Sequence, residues 1–129
     1  MIVDSSALLA ILLHETDAKR YAAAISNAPT RRMSVANVLE ASMVAESRGG
    51  EAAGHALDRQ LERAEMELVP VTAEQLAAAR RAWRRFGRGN HPAALNFGDC
   101  FAYALAETTG EPLLFKGEDF ALTDVEAAL

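Results

Sequence analysis

The sequence has one cysteine, Cys100, so no internal disulfide can brace it. A lone cysteine reads as a small buried side chain, and the composition suits a reducing compartment. Histidines are few. His14, His55 and His91 are scattered with no ligand spacing, which excludes the usual zinc sets. Aromatic residues make up 6% of the chain. Their scarcity, beside abundant alanine, favours helix. Basic residues do not dominate: the net charge is -5, so nucleic acid could be held only through a local basic patch. No apolar run approaches the roughly 20 residues of a membrane span. Residues 1–13 lack a basic start, carry Asp4, and are not followed by a small-residue cleavage site. A cytoplasmic chain is therefore expected.

What is present is a chain of 129 residues, suited to one domain over 1–129. Met1–Asp4 reads as a short apolar strand. Ser5 or Ser6 is placed to cap a helix through Ala7–Leu13. A second helix is expected over Asp17–Ser26 and a brief strand over Arg32–Ser34. Ser34 then caps a helix from Val35 to Arg48, stopped by Gly49 and Gly50. Val35, Val38, Leu39 and Met43 fall at helical spacing and predict its apolar face. Residues 51–65 read as a further helix, and Leu68–Val71 as a strand. Thr72 and Gln75 form a capping box for "AEQLAAARRAWRRF". After the "GRGNHP" loop, Asn96 caps "FGDCFAYALAETT", which Gly110 ends. "PLLF" reads as a strand, "KGEDF" as its exit turn, and "ALTDV" as a last short strand. Strands alternating with helices predict an α/β fold: a central parallel sheet covered on both faces, in three α/β/α layers.

Four carboxylates sit where solubility does not require them. In open parallel sheets, sites lie outside the carboxyl ends of the strands. Asp4 ends the first strand, and Asp119 follows "PLLF", so both belong at one sheet edge. Asp99 lies at the third position after Asn96, near a helix N-terminus, where a cap alone would also explain it. Glu40 lies beside an apolar stripe, at its solvated rim or in a site. If these carboxylates share a pocket, their repulsion raises their pKa values or demands a counter-ion. Oxygen-only ligands favour Mg²⁺ or Mn²⁺, the arrangement of phosphodiester chemistry.

Phosphate contacts have candidates too. Arg80, Arg81, Arg84, Arg85 and Arg88 cluster, and Arg81, Arg84, Arg85 and Arg88 have the spacing of one helical stripe. The same residues would equally make a solvated face. Trp83 and Phe86 read as core anchors rather than base-stacking platforms. Lys116, near Asp119, is a second candidate phosphate contact.

With these residues placed, the chain resembles the PIN-domain ribonucleases, and among them the VapC toxins of bacterial toxin–antitoxin pairs. "IVDSSALLAILL" resembles the opening strand with its acidic residue at Asp4. "SVANVLEASMV" resembles the segment bearing the second, at Glu40. "LNFGDCFAYALA" is similar to the most recognisable block, with the third at Asp99. "LLFKGEDFALTDV" resembles the closing block, with the fourth at Asp119. The resemblance implies a PIN fold, usually as a homodimer, and Mg²⁺- or Mn²⁺-dependent endoribonuclease activity on RNA. It implies metal held by these acidic residues, Asp4 and Asp99 foremost, with Ser6 and Asn96 as polar neighbours. It implies an antitoxin partner that blocks the acidic pocket and brings the complex to promoter DNA. Either Glu118 or Asp119 could face the metal.

Two other readings compete. One is a housekeeping RNA-processing nuclease, disfavoured by the absence of an added RNA-binding domain. The other is a non-catalytic binding or regulatory module of similar fold. A receiver-type domain needs an acceptor Asp after a central strand, and "LVPVT" has none. A dehalogenase-like phosphatase wants Asp two residues after the first, and position 6 is Ser.

Overall fold

The computed structural model describes residues 1–129. Four short strands make one parallel sheet: β1 (Ile2–Val3), β2 (Arg32–Ser34), β3 (Glu67–Val69) and β4 (Leu113–Leu114), in the order β3-β2-β1-β4. All three pairings are parallel, with Ile2 opposite both Arg32 and Leu113. Five helices flank the sheet: α1 (Ser5–Leu12), α2 (Ala18–Asn27), α3 (Val35–Arg63), α4 (Ala73–Phe86) and α5 (Phe97–Thr109). The strands alternate their side chains between two cores, as their pleat requires. Ile2 and Leu113 join α4 and α5, with Ala78, Ala82, Phe86 and Leu105. Val3, Met33 and Leu114 join the other layer, with Leu8, Tyr21, Ile25 and Leu57. β1 (Ile2–Val3) and β4 (Leu113–Leu114) are wholly apolar because helices cover both their faces.

The expected helix stops and starts place most elements. Thr72 caps α4 through the Gln75 N–H at 3.1 Å, and Gly110 ends α5 in the left-handed conformation at φ 70°. The expected break near Gly49 and Gly50 is present. Gly50 leaves helical geometry at φ 65° and ψ −164°, and the helix resumes on the far side as one long α3. That φ favours glycine.

Four expectations are corrected. Asp4, not Ser5 or Ser6, caps α1: its side chain accepts the Ser6 N–H. The helix therefore starts at Ser5, immediately after the strand. The expected strand at "ALTDV" is instead a 3-10 helix over Phe120–Leu122 followed by a turn, and Ala127 makes a single bridge to Leu113. On α3, the packed face is Asn37, Ala41 and Ala45, while Val35, Leu39 and Met43 are exposed. Small side chains let α3 approach its neighbours closely, which leaves the larger ones outside. On α4, Phe86 is in the core as expected, but Trp83 is 53% exposed, because Ala78, Ala79 and Ala82 already fill the buried stripe.

Candidate active site

Each of the four carboxylates reaches one pocket by its own route. Asp4 is held by β1, where its N–H donates to the Leu114 carbonyl at 2.9 Å. The chain turns there into α1, and Asp4 Oδ2 accepts both the N–H (3.0 Å) and the hydroxyl (2.6 Å) of Ser6. Glu40 comes from the first half of α3. Asp99 is the third residue of α5 and closes a capping box with Asn96. Its Oδ2 accepts the Asn96 N–H at 3.0 Å, and Asn96 Oδ1 accepts the Asp99 N–H at 2.9 Å. Asp119 stands before the 3-10 helix and makes no capping hydrogen bond. All four, with Ser5, Ser6, Asn96 and Lys116, line a pocket of about 260 Å³. Glu118 does not: it lines a separate depression with Arg20, Tyr21 and Leu129. Asp119 is thus the residue of that pair that turns to the acidic pocket.

Burial first, and repulsion from the neighbouring carboxylates second, raise Asp4 and Asp99. Burial pushes the Asp4 carboxyl up to about 7; the Ser6 hydrogen bonds oppose this, and the charges of Asp99 and Glu40 reinforce it. Burial likewise pushes Asp99 up to about 6, with Asp119 and Glu40 adding to it and the Asn96 N–H and Arg88 opposing it. Asp4 is only 3% exposed, and its Oδ1 is buried with no hydrogen-bond partner. A buried carboxylate oxygen without a donor is costly unless a proton or a cation meets it.

The arginines divide into two groups. Arg81 and Arg85 reach Glu107 (3.5 Å) and Asp124 (2.9 Å), and the Arg85 guanidinium lies 4.6 Å from the centre of the Phe86 ring. Arg80, Arg84 and Arg88 instead line an apolar groove with Leu76, Trp83 and Phe97. Asn96 lines both this groove and the acidic pocket. The single stripe expected over Arg81, Arg84, Arg85 and Arg88 is therefore split, because acidic residues on distant segments hold Arg81 and Arg85. The Lys116 ammonium is paired with Glu15 (2.7 Å) and Asp17 (2.9 Å).

A family model for the PIN domain matches residues 1–126. The chain belongs to the PIN-domain family. It is 55% identical over 127 residues to "Ribonuclease VapC" of Mycolicibacterium smegmatis, covering 98% of both chains. It is 52% identical over 125 residues to "Ribonuclease VapC30" of Mycobacterium tuberculosis, covering 97% of this chain and 95% of that one. Its fold superposes on the crystal structure of Mycobacterium tuberculosis VapC20, described as a sarcin-ricin loop cleaving toxin. The TM-score is 0.75 at 21% identity, over 96% of this chain and 95% of that one.

Within this PIN domain, no three acidic, His or Cys side chains are gathered tightly enough to form a ready-made ion cage. The hydrogen bonds explain the spacing. Asp4 is drawn toward Ser6, Asp99 toward the Asn96 backbone, and Glu40 toward the Ser5 hydroxyl, which donates to Oε1. The donor set still suits a hard divalent cation. It is all oxygen, it is negative, and Asp4 Oδ1 lacks any partner. Sequence reasoning missed three residues around Glu40: Ser5, Asn37 and Gly98. Asn37 lies off the Val35, Val38, Leu39 and Met43 stripe that the spacing assigns to the core, and Gly98 lies in a helix start that needs no glycine.

Proposed function

We propose that this PIN domain, one domain over residues 1–129, is a divalent-metal-dependent endoribonuclease that acts as the toxin of a toxin–antitoxin pair. The observation that carries it is the meeting of Asp4, Glu40, Asp99 and Asp119 in one pocket, with a buried, unpartnered oxygen on Asp4. The names of its close relatives, ribonucleases of VapC type, support the choice of RNA as substrate.

Asp4 and Asp99 would hold Mg²⁺ or Mn²⁺, directly or through water, with Glu40 and Asp119 completing the set. Such an ion, when bound, acidifies a water and neutralises charge on the phosphate. Glu40 and Asp119 would orient the attacking water and accept its proton. Ser6 and Asn96 keep Asp4 and Asp99 in place through the hydrogen bonds described above. Of the candidate phosphate contacts Arg84, Arg85 and Arg88, Arg84 and Arg88 carry no ion pair and are free to meet RNA phosphates. Arg85 and Lys116 would first have to leave their acidic partners.

The exposed Leu76, Trp83 and Phe97 of the groove, with Leu39 and Met43 on α3, suit a homodimer. The antitoxin is a protein that covers the acidic pocket, and DNA is reached only through that complex. No helix is long and apolar enough to cross a membrane. A cytoplasmic site of action accords with an RNA substrate.

The deciding experiment is induced expression of the wild type and of Asp99→Asn in a bacterium, scoring growth and mapping cut RNA ends. Growth arrest with new RNA ends in the wild type alone supports the reading. Equal arrest and equal cleavage by the variant sinks it.

A further inference from the structure

The first turn of α5 carries a glycine that its backbone does not need. Gly98 lies inside the helix, between Phe97 and Asp99, with a φ outside the left-handed region. Alanine there would have the higher helix propensity. The surroundings account for the glycine. A Cβ on Gly98 would overlap Oε2 and Cδ of Glu40. The Glu40 carboxylate therefore rests against bare backbone, one residue from Asp99.

Asn37 fastens the same junction from the other side. It lies one helical turn before Glu40 and is fully buried. Its Nδ2 donates to the Gly98 carbonyl at 2.9 Å and to Glu40 Oε1 at 3.3 Å. The two N–H bonds of one amide thus tie α3 to the first turn of α5 and hold the carboxylate between them. The Ser5 hydroxyl donates to the same Oε1. Two donors fix Oε1, and a missing methyl makes room for Oε2.

We infer that Gly98 and Asn37 are positioning residues, which seat Glu40 against the Asp99 turn and so set the separation of these two carboxylates. The inference rests on the nuclease reading of the acidic pocket. Neither residue touches the reacting atoms; both act through Glu40. Adding a methyl at position 98 forces the carboxylate away. Shortening the side chain at position 40 withdraws it by about one bond and relieves the overlap. The two sites are therefore coupled in a way that a purely structural glycine would not be.

The test uses the full chain as wild type, Gly98→Ala, Asn37→Ala, Glu40→Asp and the double variant Glu40→Asp/Gly98→Ala. Mn²⁺ alone is titrated and free ion read by electron paramagnetic resonance. Cleavage is followed on a single-stranded RNA that the wild type cuts, and folding by circular dichroism and melting. Gly98→Ala is expected to weaken Mn²⁺ binding at least tenfold and to lower kcat at least tenfold, with KM changed less than threefold. Asn37→Ala shifts both in the same direction. The double variant binds Mn²⁺ at least threefold more tightly than Gly98→Ala alone. Wild-type Mn²⁺ affinity in Gly98→Ala, or no recovery in the double variant, overturns the inference. If Gly98→Ala does not fold, recovery of a cooperative melt in the double variant supports the inference, and its absence overturns it. A wild type that neither binds Mn²⁺ nor cuts RNA overturns the nuclease reading itself, and this inference with it.

Discussion

Ser6 joins the two ends of the chain through one oxygen. Its hydroxyl donates to Asp4 at 2.6 Å and accepts the backbone N–H of Lys116 at 3.0 Å. The start of α1 is thereby fastened to the exit of β4, the segment that leads to Asp119. Ser6→Ala removes one of the two donors to a buried carboxylate and leaves a main-chain N–H without its acceptor. A loss of about 1–3 kcal/mol is expected, read from urea unfolding. Cleavage should fall as well, since Asp4 and Asp119 lose their common support.

The acidic pocket trades stability for charge. Asp4→Asn and Asp99→Asn each remove a repelling carboxylate; Asn at position 4 caps a helix about as well as Asp, and an amide oxygen at position 99 can still accept the Asn96 N–H. Both variants are expected to melt a few degrees above the wild type in EDTA at pH 8. Added Mg²⁺ or Mn²⁺ should raise the melting temperature of the wild type and not of the variants, and cleavage should be lost in both. A wild type whose melting ignores both ions would argue against a metal site.

Salt dependence separates the arginines. Arg84→Gln and Arg88→Gln should each raise KM for RNA and reduce the slope of log K against log salt by about 1. Arg85→Gln should leave that slope unchanged, because its guanidinium is held by Asp124 and Phe86. An equal effect of all three would restore the single stripe that the helical spacing suggests.

Phe97 is 82% exposed, at the mouth of the groove that Trp83 also lines. Its ring stacks edge-on against Phe101, with centroids 4.9 Å apart. Phe97→Glu and Trp83→Glu are expected to convert a dimer to a folded monomer, measured by sedimentation equilibrium. A wild type that is monomeric at micromolar concentration refutes the dimer.

Acid stability should depend on Glu111. Burial alone would raise its carboxyl. The N-terminal amine, Arg32 and Thr30 outweigh burial and hold it down at about 2. A lowered carboxyl contributes stability in full above its ordinary value of 4.5 and loses it as pH falls toward 2. Glu111→Gln is expected to be about 1–3 kcal/mol less stable than the wild type at pH 7. The difference should shrink as pH falls through that window in thermal melts, and a constant difference would refute the assignment.

Much of this layout is legible in the sequence because caps and stops are local chemistry. Ser34, Thr72, Asn96 and Gly110 mark their helix ends unaided. Asp4 stands out because it follows directly on a strand end, Asp99 because it lies in the first turn after a cap, and Asp119 because it lies in the exit turn of a strand. What is not legible depends on distance. Hydrophobicity assigns Val35, Leu39 and Met43 to the interior, whereas close approach of α3 selects Asn37, Ala41 and Ala45. Arg85 and Arg88 look alike until Asp124 takes one of them. The crowding at Gly98 exists only when Glu40 arrives from another helix.

The middle of the sheet has a consequence for the order of events during synthesis. β1 is made first, yet one of its two neighbours, β4, consists of Leu113 and Leu114. Loops of that length close late, and long-range parallel pairing is slow. On a growing chain, Asp4 has no Leu114 carbonyl to bond and no Asp119 to face. The acidic pocket therefore cannot assemble on a nascent chain that has not yet reached Leu114 and Asp119.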